Sequence, residues 1–154
     1  MNIVNLKQCT EFIPKLAQWH QQEWSYLNPG QTLGERVLKM QGYLGDNFIP
    51  STFVAIKNNT VLGSAAIVEC DMEERKELSP WLASVFVTEG CRRQGIGSDL
   101  VKYVMQQALS HGYPALYLYT PDQQDFYRSF GWSVVETMEY HGTDVTIMSA
   151  IVEK

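Results

Sequence analysis

The chain has 154 residues, of which 45% are hydrophobic and 19% charged, and it carries a formal net charge of −5. That length suits one domain with its own core, and the composition excludes a disordered or low-complexity chain. The acidic balance argues against a nucleic-acid or anionic-membrane partner, which needs a basic face, and favours a cationic one such as a protonated amine.

Taken in chain order, residues 2–6 (NIVNL) predict a short strand. Thr10 is the expected N-cap of a first helix, with Phe12, Leu16, Trp19 and Trp24 at helical spacing, stopped by Asn28-Pro29-Gly30. Thr32 and Glu35 form a capping box for a second helix carrying Val37, Leu38, Met40 and Tyr43, which Gly45-Asp46 ends. The period then changes. STFVAIK and TVLGSAAIVEC predict a hairpin turning at Asn58-Asn59, and the acidic DMEERKELSP leads into WLASVFV, an apolar run suited to a central strand buried on both faces.

A helix is expected from about Ile96 to Ser110, with Ile96, Leu100, Val104 and Ala108 on one stripe and His111-Gly112 closing it. ALYLYT is a strand, DQQDFYRSF a short helix ended by Gly131, and WSVVETMEY and DVTIMSAIV a hairpin joined at His141-Gly142-Thr143. The order β-α-α-β-β-β-α-β-α-β-β predicts an α/β (α+β) fold, one domain over 1–154. Its central sheet is mixed but mostly antiparallel, with helices on its faces.

Cys9, Cys70 and Cys91 are odd in number and far apart, without disulfide or metal-ligand spacing, and His20, His111 and His141 are isolated. No metal site is expected. MNIVNLKQCTEF lacks the apolar stretch of a secretory signal, and no run approaches a membrane span, so a cytoplasmic chain is expected.

CRRQGIGSDL (91–100) lies between the buried strand and the long helix. The first helical turn has backbone N–H groups with no intrahelical partner, and glycines let a bulky anion approach them. Two nucleotide motifs fail on spacing. Gly95-Ile96-Gly97 is followed by no third glycine, and no G-K-[ST] of a P-loop occurs. A plain loop with solvated arginines stays open on these residues alone.

LASVFV followed by Arg92-Arg93-Gln94-Gly95-Ile96-Gly97 resembles motif A of the GNAT acetyltransferase superfamily, and DFYRSFGW resembles its motif B, with a tyrosine four residues before a glycine. The resemblance covers nearly the whole chain. It implies an acetyl-CoA-dependent N-acetyltransferase acting by direct transfer on a primary amine of a small molecule or peptide. Cofactor contacts are implied for Val85, Phe86 and Val87 along the pantetheine arm, and for Arg92, Arg93, Gln94, Gly95, Ile96, Gly97 and Ser98 around the pyrophosphate. Thr120 stands where family members often carry asparagine, which puts one contact to the cofactor arm in question.

Within the resemblance Tyr127 is the proton or hydrogen-bond donor to the departing sulfur, against the bland reading of an aromatic packed beside Phe126 and Phe130. Glu69 and Asp71, two residues apart at a strand end, are the candidate bases, or else the solvated start of an acidic loop. A thiol at Cys70 or Cys91 has no histidine near it in sequence to make it a nucleophile. A monomer or homodimer is expected. The alternative function is a non-catalytic acyl-CoA-binding sensor or regulatory module on the same fold.

Overall fold

The computed structural model describes residues 1–152. Strands β1 (Asn2–Asn5), β2 (Ser51–Lys57), β3 (Thr60–Val68), β4 (Trp81–Val87), β5 (Ala115–Thr120), β6 (Ser133–Tyr140) and β7 (Thr143–Ile151) form one sheet in the order β1-β2-β3-β4-β5-β7-β6. Helices α1 (Ile13–Trp24), α2 (Leu33–Gln41), α3 (Ile96–Ser110) and α4 (Gln124–Arg128) complete the expected order. Every neighbouring pair is antiparallel except β4 and β5.

Strand alternation divides the core between the two faces. Phe53 and Ala55 of β2 join Leu82, Leu100 and Met148 in the cluster under α3, whereas Val54 between them packs with Leu16 of α1 and Met40 of α2. β4 contributes to both sides, with Leu82 toward α3 and Trp81 and Ala83 in a second cluster with Tyr140 and Ile147. This two-sided burial accounts for the unbroken apolar run in its sequence.

Turn chemistry acts as expected at several points. Asn58 and Asn59 adopt φ of 52° and 61°, the left-handed pair that a two-residue hairpin of the primed type requires. Thr32 accepts from the Glu35 amide at 3.1 Å, and Glu35 reciprocates at 3.0 Å, closing the capping box of α2.

Other boundaries differ. Thr10 begins a single 3-10 turn over Thr10–Phe12 instead of capping α1, which starts at Ile13 with Pro14 in its first turn, where a missing N–H costs nothing. The buried stripe of α1 is Ile13, Leu16, Ala17 and His20, rotated from the tryptophan-led stripe expected. On α2 the helix stops at Gln41, Leu38 is 68% exposed, and Arg36 lies buried. β3 ends at Val68, short of the expected Cys70, and α4 is confined to five residues.

Gly63 of β3 is a point of close approach: a Cβ added there would collide with the Phe86 carbonyl oxygen and press on Leu100 Cδ1 at 3.3 Å. The colliding atom is backbone, so no side-chain rotation relieves it. Gly63→Ala should destabilise the protein by about 1–3 kcal/mol, the usual range for overpacking, and chemical denaturation of both forms would measure it.

Candidate active site

β4 and β5 run parallel yet share a single bridge, Trp81 with Tyr117, beside a hydrogen bond from the Tyr117 amide to the Pro80 carbonyl at 3.0 Å. Past that point the strands part, and a cleft of about 620 Å³ opens between their carboxyl ends. β4 carries a bulge here. Ser64 pairs with Phe86 and Ala66 with Ala83, so two residues of β4 oppose one of β3, and Ser84 takes φ of 53°.

A buried relay braces the bulge. Ser64 Oγ donates to the Ser84 carbonyl at 2.9 Å, and His20 Nε2 lies 2.9 Å from Ser64 Oγ. With the serine proton committed to Ser84, the histidine is the donor, which places its hydrogen on Nε2. Burial, then the nearby Arg36 charge, lower the pKa of His20 to about 3, so the ring is neutral. Its other neighbours complete an aromatic box, with Trp19, His20 and Trp24 at 5.6, 5.8 and 6.0 Å from the Phe86 ring. His20 thus supports the cleft from behind and does not line it.

The glycine loop forms one end of the cleft. After Arg92, whose amide lies 3.5 Å from the Glu89 carbonyl oxygen, the next amide to reach a backbone acceptor is that of Asp99, with Gly95 O at 3.0 Å. The six amides from Arg93 to Ser98 have no hydrogen-bond partner among the described residues, and no side chain caps α3. Arg93 (φ 67°) and Gly95 (φ 82°) are both left-handed, a turn geometry that directs successive N–H groups into a concavity suited to an anion. The helix dipole adds positive character there.

Arg92 is placed differently from the rest of the loop. Its Nε donates to the Val87 carbonyl at 2.9 Å, its guanidinium lies 5.6 Å from the centre of the Phe86 ring, and Nη2 is 3.6 Å from Glu23. The side chain therefore folds back over the end of β4, tying the loop to the strand. Val85, Phe86 and Val87 line the cleft, as do Arg92, Arg93, Gly95, Ile96, Gly97 and Ser98. Gln94 is exposed and contributes its backbone to the loop.

Tyr127 enters the same cleft from α4, with its ring packed against Phe126 at 5.0 Å and Trp132 at 5.9 Å. Burial raises its pKa well above the ordinary phenol value and keeps it protonated. Thr120 also lines the cleft, but its Oγ1 accepts from the Gln123 amide at 3.0 Å and so fastens the turn into α4.

The two candidate carboxylates separate. Because β3 stops at Val68, strand alternation no longer relates Glu69 to Asp71. Glu69 is exposed and borders a different concavity with Cys70 and Lys76, while Asp71 turns into the cleft. Burial raises the pKa of Asp71 to about 7 against the opposing pull of Lys39 and Arg36.

Cys91 lines the cleft without a histidine partner: His20 engages Ser64, His111 the Gln107 carbonyl and His141 the Leu27 carbonyl. Among the described residues, no group of three or more His, Cys, Asp or Glu is placed to hold a metal ion, and no helix is long and apolar enough to cross a membrane. Arg36, Lys39, Ser64 and Ser84 were not legible as site residues. The spacing from Leu16 to His20 is the one signal that places His20 on a buried stripe.

The model of the acetyltransferase (GNAT) family matches residues 13–132. An aminoglycoside 6'-N-acetyltransferase complexed with coenzyme A superposes with a TM-score of 0.79 at 16% identity, covering 100% of this chain and 98% of that one. A ribosomal-protein-alanine N-acetyltransferase from Brucella melitensis gives 0.75 at 19% identity, covering 98% and 99%. An N-acetyltransferase from Staphylococcus aureus gives 0.73 at 17% identity, covering 99% and 100%. These likenesses establish the fold. No curated protein sequence matches the chain.

The raised pKa of Asp71 has a stability consequence. Its folded value of about 7 lies above the ordinary carboxyl value, so the folded state binds the proton more tightly and stability falls as pH rises from about 4 to about 7. Asp71→Asn removes the cost of burying the charge. Its thermal midpoint should exceed that of the parent at about pH 8 and converge with it below about pH 4.

Proposed function

The chain belongs to the GNAT acetyltransferase family, and from that premise we propose that it is an acetyl-CoA-dependent N-acetyltransferase that transfers the acetyl group directly to a primary amine. One observation carries the reading. Six consecutive unpartnered amides run from Arg93 to Ser98, in a loop that, Gln94 apart, lines a cleft that also receives the free edge of β4 and the Tyr127 side chain. The donor set fits a pyrophosphate, which offers many acceptor oxygens and a charge complementary to a helix N-terminus. The unpaired edge of β4 suits a peptide-like arm laid beside it as an added strand.

Bound acetyl-CoA supplies an acyl group already activated as a thioester. The chain's own groups have three tasks. The arm must be held so that the acyl carbon sits near the amine, which the cradle and β4 do by fixing both ends. Charge that develops on the acyl oxygen needs a donor, for which a β4 amide near Phe86 or Val87, just past the bulge at Ser84, is the candidate.

The third task is proton handling. The motif resemblance gives Tyr127 the position of the family tyrosine that sits near the leaving sulfur. A thiol titrates at about 8.5 and a free phenol at about 10. Burial raises Tyr127 further, so full transfer of its proton is uphill and its role is that of a hydrogen-bond donor to the sulfur. Among the carboxylates lining the cleft, Asp71, with a pKa of about 7, is the one beside Arg36 and Lys39 and is assigned the proton from the ammonium, taken directly or through water. The free Cys9, Cys70 and Cys91 are in keeping with a reducing, cytoplasmic setting.

Two measurements test the reading. Acetyl-CoA at about a hundred times its dissociation constant should stabilise the protein by roughly 2.7 kcal/mol, with ATP and NAD as inactive controls. Tyr127→Phe should then lower kcat for thiol release by about tenfold to a hundredfold, the loss of one hydrogen bond to a charged group, with little change in the KM for acetyl-CoA. Absence of the thermal shift would remove the reading. Binding without turnover of any amine would favour the non-catalytic sensor.

A further inference from the structure

The α2 side of the cleft carries a cation whose hydrogen-bonding capacity is mostly unused. Arg36 is only 8% exposed, yet it lines the cleft. Its Nε donates to Gln21 Oε1 at 3.1 Å, and Gln21 is itself fixed by donating from Nε2 to the Gln31 carbonyl at 2.9 Å. Nη2 is buried with no hydrogen-bond partner. No ion pair involves Arg36 among the described residues, although Asp71 is near enough for each to feel the other's charge.

A buried guanidinium left partly unsatisfied costs folding free energy, which a group that pairs with it offsets. The guanidinium is already oriented, since Gln21 holds its Nε, and its terminal N–H groups have no partner among the described residues, the kind of charged donor that a carboxylate satisfies. Lys39, one turn along α2, lines the same cleft and adds a second positive charge. This corner is therefore locally cationic on a chain whose net charge is −5. A purely cationic acceptor would meet repulsion here, and an amine that also bears a carboxylate would not.

Building on the N-acetyltransferase reading, we propose that Arg36, assisted by Lys39, binds the carboxylate of the acceptor, so that the substrate belongs to the class of amino-carboxylates. Asp71 beside this pair then faces the amine end of the same molecule. The arrangement disfavours polycationic acceptors and selects by charge at both ends.

The test compares matched acceptors at saturating acetyl-CoA by thiol release. The panel holds the proteinogenic amino acids, β-alanine and γ-aminobutyrate, the amides of each, and O-phosphoethanolamine. The proposal expects kcat/KM for the preferred acid to exceed that of its amide by at least about a hundredfold, because a site built to hydrogen-bond a group rejects the analogue lacking it. Arg36→Met should erase that preference through the KM of the acid while leaving the KM for acetyl-CoA in place, and Arg36→Lys should restore part of it. If Arg36→Met fails to fold, the acid-to-amide ratio of the parent protein decides alone.

Amides turned over as well as acids, preference for the phosphate, or no acid turned over while acetyl-CoA still raises the thermal midpoint would each overturn the amino-carboxylate class. Failure of acetyl-CoA to bind at all would instead overturn the underlying reading.

Discussion

The site depends on β4 leaving β5 after one bridge. A parallel pair that stayed in register would fill the space between Val87 and Thr120 with ladder hydrogen bonds. Here the Ser84 bulge turns β4 away, and the cleft forms outside the carboxyl ends of two parallel strands, where open sheets commonly bind ligands. Holding Ser84 left-handed costs on the order of 1 kcal/mol or more for a residue with a side chain. The brace from His20 through Ser64 to the Ser84 carbonyl, and the close passage of Gly63 beneath Phe86, fix that conformation from behind. The first helix thus shapes the floor of a cleft that its key histidine never enters.

Charge is distributed around this opening with opposite signs at different points. Unpartnered amides and the α3 dipole make the glycine loop positive. Arg36 and Lys39 make the α2 side positive as well, with Asp71 near enough to both, and to Tyr119, to interact with them electrostatically. Glu23 and Asp122 supply acidic character beside Tyr26. Burial magnifies the effect at Arg36, since a low-dielectric wall neither screens a charge nor solvates it, whereas Lys39, Glu23 and Asp122 are exposed. Burial likewise raises the pKa of Asp71 to about 7.

Legibility in the sequence followed the range of the interactions involved. Local chemistry was readable: the Thr32–Glu35 capping box, the Asn58-Asn59 turn, the apolar run of β4 and the glycines at the start of α3 each have short-range causes. The residues around the glycine loop and Tyr127 could be singled out because their spacing is a motif. Features made by chain segments meeting across the fold were not readable. Ser64 and Ser84 look like ordinary strand residues until the bulge joins them, and Arg36 reads as a solvated helix residue until α1 covers it. Glu69 and Asp71 were paired by strand alternation, which lapses where β3 ends at Val68. Arg92 was singled out as a contact around the pyrophosphate, but nothing local in sequence shows that its side chain lies across Phe86 with Nε donating to the Val87 carbonyl.

The central claim is that the amides from Arg93 to Ser98 hold the phosphates of acetyl-CoA beside the open edge of β4. Titration of the isotopically labelled protein with acetyl-CoA, followed by backbone amide resonances, tests it most directly. The account predicts large, saturable shifts at Arg93–Ser98 and at Ser84–Val87, with β1 and β6 unaffected. Shifts confined to other parts of the surface, or none at all, would contradict it.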